Sequence, residues 1–143
     1  MNKALGTVTL AALLAVSLVA CSKKPAAPAA QPAGVSVTAV TLGKAIGADK
    51  RVTAPLDSFA KNDTIYVVVE TTGSGNAAFR AKWTYLKGDA TAVVEKSEQT
   101  VVATGPAVTE FHISKPDGWP LGNYQVEVLL NDASTGVNKF TVK

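Results

Sequence analysis

Lys115-Pro116-Asp117-Gly118-Trp119-Pro120-Leu121-Gly122-Asn123-Tyr124-Gln125-Val126-Glu127-Val128-Leu129-Leu130 divides into a corner and a strand. One proline and two glycines crowd residues 117–122, where neither a helix nor a sheet ladder runs unbroken. Beyond them Tyr124, Val126, Val128 and Leu130 alternate with Asn123, Gln125, Glu127 and Leu129. Side chains of a strand point to opposite faces in turn, so this period of two predicts one buried face and one wetter one. Residues 131–136 then read as a turn, and residues 137–142 as a closing strand with Phe140 and Val142 inward.

Working back from the corner, the same period recurs. Residues 109–114 place Phe111 and Ile113 inward and Glu110 and His112 outward, and residues 99–103 form another strand candidate, the two split by Gly105-Pro106. Residues 77–86 set Phe79, Ala81, Trp83 and Tyr85 against Arg80, Lys82 and Thr84, and Lys87-Gly88-Asp89 reverses the chain into residues 91–96 as a hairpin. Gly73-Ser74-Gly75-Asn76 reads as a turn. Residues 64–71 are the clearest strand, with Ile65, Val67 and Val69 on one face and Tyr66, Val68 and Glu70 on the other; such β-branched density suits a central strand. Phe59 plugs an end of the core before the Lys61-Asn62-Asp63 turn. Residues 43–55 are predicted as a loop with a short strand around 51–53, and residues 35–42 as the first strand, Val35 and Val37 on the face opposite Val40 and Leu42. With no long helical stripe, the pattern predicts an all-β sandwich of 109 residues, one domain.

An inward Trp on the third main strand, and Gly-x-Tyr-x-apolar entering the penultimate one, resemble the immunoglobulin-like antiparallel β-sandwich. The resemblance covers roughly residues 60–143. It implies that Trp83 is the strand-C tryptophan and that Tyr124 ties the corner to upstream backbone. It also implies that strands C and F are neighbours, bringing Arg80 and Lys82 opposite Glu127. Val126, and Val67 or Val69, stand where antibody domains carry cysteines, so the sandwich is expected without a disulfide. The ending of the chain from Lys115 to Asp132 is similar to the last hairpin of small Ig-like domains in bacterial lipoproteins, a likeness that brings no activity with it.

The start of the chain carries a different signal. Met1-Asn2-Lys3 is a short positive region, and 17 uncharged residues follow, closing on Leu18-Val19-Ala20-Cys21. A positive start, an apolar middle and small residues before a cut make a secretory signal. The rival reading is a retained transmembrane helix, but the run falls short of the roughly 20 residues that span a bilayer core. Leu18-Val19-Ala20-Cys21 resembles the lipobox of bacterial lipoproteins. That resemblance implies cleavage before Cys21, a diacylglyceryl thioether on its sulfur and an acyl group on its freed amine, with no other cofactor. Two or more chains anchor stably, each buried methylene contributing about 0.8 kcal/mol. Ser22, where Asp would retain a lipoprotein at the inner membrane, implies the outer membrane, with the domain in the periplasm or at the cell surface. The chain is thus expected to comprise a signal peptide (residues 1–20), the lipidated cysteine with a linker (21–34) and the sandwich (35–143).

Residues 22–34, SKKPAAPAAQPAG, hold three prolines and no large apolar side chain, and cannot bury enough surface to offset ordering. In extended polyproline geometry they reach roughly 40 Å. Of the 14 basic residues, Lys3, Lys23 and Lys24 precede residue 35, leaving 11 against all 11 acidic ones. The basic pI is a property of leader and tether, and the neutral domain does not offer the basic face that nucleic acid requires. Lys23 and Lys24 meet anionic headgroups instead, at about 1 kcal/mol each.

No motif builds a catalytic site. His112, the only histidine, lies outward between Glu110 and Ser114 and reads as a surface residue. Zinc requires three or four ligands, which scattered carboxylates do not supply. Asp117 and Asp132 sit in turns, where such side chains cap local backbone. Two readings of Trp119 stand: a plug at the sandwich end beside Tyr124, or a partly exposed contact. As surface contacts Trp119, Arg80 and Lys82 are therefore the candidates. The expected function is that of a monomeric, membrane-anchored, non-catalytic binding or structural module facing an envelope protein or polymer. The alternatives are an accessory subunit of an envelope secretion or assembly machine, and a small-ligand carrier or enzyme.

Overall fold

A computed structural model of the chain describes residues 34–143. The described residues form eight strands: β1 (Ser36–Gly43), β2 (Ser58–Phe59), β3 (Ile65–Thr72), β4 (Ser74–Lys87), β5 (Ala90–Thr104), β6 (Ala107–Ile113), β7 (Gly122–Leu130) and β8 (Ala133–Val142). They assemble into a three-stranded sheet, β1-β3-β6, and a five-stranded sheet, β2-β8-β7-β4-β5. All ladders are antiparallel except the two-residue pairing of β2 with β8. The all-β prediction holds, β3 is the central strand of its sheet, and β4 lies beside β7.

The core is the meeting of two alternations. Ile65, Val67, Val69, Phe111 and Ile113 come from the small sheet; Phe79, Ala81, Trp83, Tyr124, Val126, Val128, Phe140 and Val142 come from the large one. Phe140 sits among rings, stacked on Tyr124 at 5.3 Å and meeting Phe59, Trp83 and Trp119 edge-on at 5.6, 6.1 and 6.4 Å. Edge-to-face and offset pairs are the favoured arrangements for aromatic quadrupoles. The indole N–H of Trp83 has no acceptor among the described residues.

Four local readings need correction, each for a physical reason. In β1 a bulge falls between Val37 and Ala39, and the extra residue brings Val40 and Leu42 onto the same core-facing side as Val35 and Val37. Of the turn expected at residues 73–76 only Gly73 turns; Ser74, Gly75 and Asn76 already pair with Thr104, Ala103 and Val102. The candidates at 91–96 and 99–103 are one strand of 15 residues, because Ser97 and Glu98 stay in the ladder opposite Ala81 and Arg80. The turn expected at 131–136 is only Asn131-Asp132, both in the left-handed region (φ 50 and 67), and β8 starts at Ala133. Two-residue hairpins of this kind match the twist of their strands, and Asn and Asp tolerate the conformation.

Residues 44–57 link β1 to β2, with Arg51 reaching Glu70 of the small sheet and Leu56 packed against the core. Ile46 and Val52 make a single bridge, the remnant of the strand expected at 51–53. Val68, on the face opposite Val67 and Val69, is nonetheless only 1% exposed.

At the corner the chain is tied by hydrogen bonds. Tyr124 Oη donates to the Pro120 carbonyl at 2.6 Å, the tie to upstream backbone that the resemblance implied. The Trp119 backbone N–H donates to the Lys61 carbonyl at 2.7 Å, and its indole Nε1 donates to the Asp63 carbonyl at 2.9 Å. Gly122 has φ 139, and a Cβ there would stand 2.9 Å from the Tyr85 ring. Burial, and secondarily the neighbouring Tyr85 phenol, push the Tyr124 phenol above its ordinary value of 10.0. A group whose folded pKa is raised contributes stability that is complete below its unfolded pKa and is lost as pH rises through the folded value. The denaturant midpoint is therefore expected to fall above pH about 10, and to fall less steeply in Tyr124→Phe. Urea unfolding at a series of alkaline pH values checks this, and equal slopes would refute it.

Candidate functional site

Three places on the surface gather charged or polar side chains. The first is the outer face and rim formed by β4 and β5. The alternation that buries Phe79, Ala81 and Trp83 turns Arg80 and Lys82 outward. Arg80 is about half exposed and is held between Glu98 of β5 and Asp132 of the β7–β8 turn. Exposed pairs of this kind contribute at most about 1 kcal/mol each, so their role is to orient the guanidinium. Of the two residues expected opposite Glu127, Arg80 stands opposite Leu129 and only Lys82 faces Glu127 on β7, without an ion pair, while on β5 Lys82 faces Lys96. Like charges directly opposite in a ladder repel. Beside this face, β5 ends the strand order, so its outer N–H and C=O groups meet no strand among the described residues. Val102 and Val93 on that rim are 73% and 52% exposed. Gln99 Nε2 donates to the Glu110 carbonyl at 2.6 Å and joins the two sheets on their open side.

A cleft of about 630 Å³ lies between residues 48–51 and the β5–β6 turn, with Thr38, Asp49, Arg51, Glu70 and Pro106 among its walls. Arg51 donates to Glu70 at 3.2 Å and approaches Asp49 at 3.8 Å. The hydrogen bond and then the attraction of Glu70 hold the Arg51 guanidinium above its ordinary value. The charge of Arg51 is answered from the cleft's own walls, whereas Lys50, which also lines it, makes no ion pair among the described residues.

His112 lies on the outer face of the small sheet, its Nδ1 3.1 Å from a Glu110 carboxylate oxygen and its ring 5.2 Å from Tyr66. No group of three His, Cys, Asp or Glu side chains among the described residues could hold a metal.

Two readings of site residues change. Trp119 is fully buried, its ring edge-on to Tyr124 at 5.4 Å, so it is the plug and not a surface contact. Asp132 pairs with Arg80 instead of capping its turn; the neighbouring Asn131 side chain ties the turn to β4, accepting from Ala78 N–H at 2.9 Å. The turn aspartates that do cap backbone are Asp63, accepting from Ala60 N–H at 2.8 Å, and Asp49, accepting from Arg51 N–H at 3.1 Å; Asp117 makes no such bond among the described residues. Arg80 and Lys82 lie beside the open rim, whereas Leu18, Val19, Ala20 and Cys21 lie outside the described residues. Reading the sequence missed Lys96, Glu98 and Val102 as parts of that face. The signal was present, since Lys96, Glu98, Thr100 and Val102 keep the period of two across the supposed break at Ser97.

Comparison with solved structures settles the architecture. An immunoglobulin-like protein from Pseudomonas aeruginosa superposes with a TM-score of 0.53 at 12% identity, covering 78% of this chain and 98% of that one. The fold is an immunoglobulin-like β-sandwich. Similar folds occur within larger chains. One is an alkylpurine DNA glycosylase of Pseudomonas fluorescens bound to DNA with an abasic-site analogue (TM-score 0.50, 15% identity, 78% of this chain). Another is a β-glucosidase of Listeria innocua in complex with glucose (TM-score 0.52, 10% identity, 76% of this chain). The immunoglobulin-like chain spans 31% of the glycosylase chain and 16% of the glucosidase chain, and at these identities the likeness is one of fold alone. No family model and no curated protein matches the sequence.

Proposed function

We propose that this protein is a lipid-anchored envelope lipoprotein whose immunoglobulin-like domain works by contact, as a non-catalytic binding or structural module at the outer membrane. The observation that carries the contact reading is the rim of the large sheet: 15 residues of β5 with one side unpaired among the described residues. Such an edge is a template for another strand, and natural sheets shield or use it. The anchor reading is carried by Leu18-Val19-Ala20-Cys21 and the proline-rich tether after it. Joined, they describe a domain held near a bilayer with the long β5 edge to offer, to an envelope protein or polymer.

Mass spectrometry of the chain purified from membranes tests the anchor. The expected N-terminal peptide begins at Cys21 and carries the mass of a diacylglyceryl group and an amide-linked acyl chain. Cys21→Ser is expected to leave the membrane-anchored fraction with residues 1–20 uncleaved by the lipoprotein route. An unacylated wild-type chain that is recovered as soluble protein would sink the proposal.

A further inference from the structure

We infer that the open edge of β5 pairs with the β5 edge of a second copy of this chain, antiparallel and centred on Ser97, joining two five-stranded sheets into one. The partner follows from the charge pattern of the strand itself. A two-fold axis normal to the sheet keeps outer faces together, so residues pair only where their numbers sum to an even value. Centring the pair on Lys96 sets Lys96 against Lys96 of the other copy, and centring it on Glu98 sets Glu98 against Glu98. Centring it on Glu95 opposes two glutamates. Ser97 alone among these four places Lys96 opposite Glu98 of the other copy, twice by symmetry.

That register also answers the one repulsion built into this face. Lys96 stands directly opposite Lys82 within the chain and makes no ion pair among the described residues. A glutamate arriving on its free side supplies the missing counter-charge. Glu98 keeps Arg80 on its inner flank while meeting Lys96 of the second copy on its outer one. Self-complementarity of this kind is what a two-fold interface requires. Ser97 is moreover the midpoint of β5, Ala90–Thr104, and the bulge at Val94 confines the in-phase pairing to residues 95–99 of each copy, the stretch that holds Lys96 and Glu98. The exposed Val93 and Val102 lie on opposite sides of that midpoint, and each is carried next to the other copy's rim. An edge lysine more often guards a strand against pairing. Here the guard discriminates between registers, excluding those that bring like charges together.

The interface does not rest on the lipid anchor, but it is compatible with it. The chain enters the domain where Gly34 packs against Gly73, at the end of the sheet where Ser74 pairs with Thr104. The two-fold turns the second domain end for end. With the strands lying along the membrane, tethers of roughly 40 Å reach one leaflet from both ends. The inferred dimer departs from the monomer expected from the sequence.

The test uses the full chain in its membranes, oxidised and run without reductant. Directly opposed residues in antiparallel strands have Cα atoms about 4.5–5.5 Å apart, within the span of a disulfide. Ser97→Cys is expected to yield a crosslinked species of twice the chain mass. Thr100→Cys, roughly 20 Å from its symmetry mate at about 3.3 Å per residue, and the parent chain with Cys21 alone are expected to yield none. If the anchor reading fails and Cys21 is a free thiol, the parent chain crosslinks too, so the two failures are told apart. In detergent, Lys96→Glu is expected to weaken the sedimenting dimer about tenfold, and Lys96→Glu with Glu98→Lys to restore it. The inference is overturned by equal crosslinking at Ser97→Cys and Thr100→Cys, by none at Ser97→Cys, or by a product of any mass other than twice the chain. A dimer indifferent to Lys96→Glu also overturns it.

Discussion

Trp119→Ala is expected to cost about 3–5 kcal/mol of folding stability, the range for removing a large aromatic from a packed interior. The indole is fully buried, packs edge-on against Tyr124 and Phe140, and holds the Asp63 carbonyl by its N–H. Truncation empties the end of the sandwich and leaves that carbonyl without its donor. A domain of this size has only about 5–15 kcal/mol in total, so the variant sits near the threshold of folding. The comparison that isolates the hydrogen bond is Trp119→Phe against Trp83→Phe. Both shorten a buried indole, but Trp83 gives up an N–H with no acceptor, whereas Trp119 gives up a bonded one. Losing one partner of a buried bond costs about 1–3 kcal/mol, so Trp119→Phe is expected to be the more damaging by that order. Guanidinium midpoints at unchanged slope measure it; a Trp83→Phe variant equally or more destabilised would contradict the assignment.

Phe140→Ala is the second large effect, again about 3–5 kcal/mol. Its ring is the hub of the aromatic cluster, in contact with Phe59, Trp83, Trp119 and Tyr124. Favourable ring pairs are worth about 0.5–1.5 kcal/mol each beyond their buried area. Phe140→Leu, which keeps much of the volume and loses the ring geometry, is expected to fall between wild type and alanine. Because neighbouring rings share partners, the double variant Phe140→Ala with Tyr124→Leu is expected to cost less than the two single changes added. Strict additivity in a double-mutant cycle would show that the rings do not act as one cluster.

Much of this fold was legible because its strands bury one face each. Tyr124, Val126 and Val128 show their side in the bare order of residues, as do Ile65, Val67 and Val69, and the structure buries all six. The departures fall where local composition and long-range pairing conflict. Gly75 and Asn76 have the chemistry of a turn, yet the ladder with Val102 and Ala103 draws them into β4. Val40 and Leu42 appear out of phase with Val35 and Val37 because a bulge adds one residue, and pairing with β3 is what makes the bulge. Val68 alternates onto the same face as Tyr66 and Glu70, and its burial there is not shown by any period. On the candidate site, Arg80 and Lys82 were visible as the polar side of an amphipathic strand. Their neighbours Lys96 and Glu98 were not, because the hairpin partner reads as breaking at Ser97, and the register that sets Lys96 against Lys82 is fixed only by the ladder.

What the order of amino acids determined alone is the class: alternating apolar residues, broken by glycine and proline, have no low-energy choice but a sheet with two unlike faces. It determined as well the neutral charge of the domain and the sulfur at Cys21 on which a lipid can be placed. Tertiary structure decided what depends on residues far apart in the chain: that Trp119 is walled in by Lys61 and Asp63, that Lys82 faces Lys96, and that β5 has a neighbour on one side only. The physical reason is range. Face alternation is a property of a few successive residues, whereas burial, counter-charge and an open edge are properties of pairs that only folding brings together.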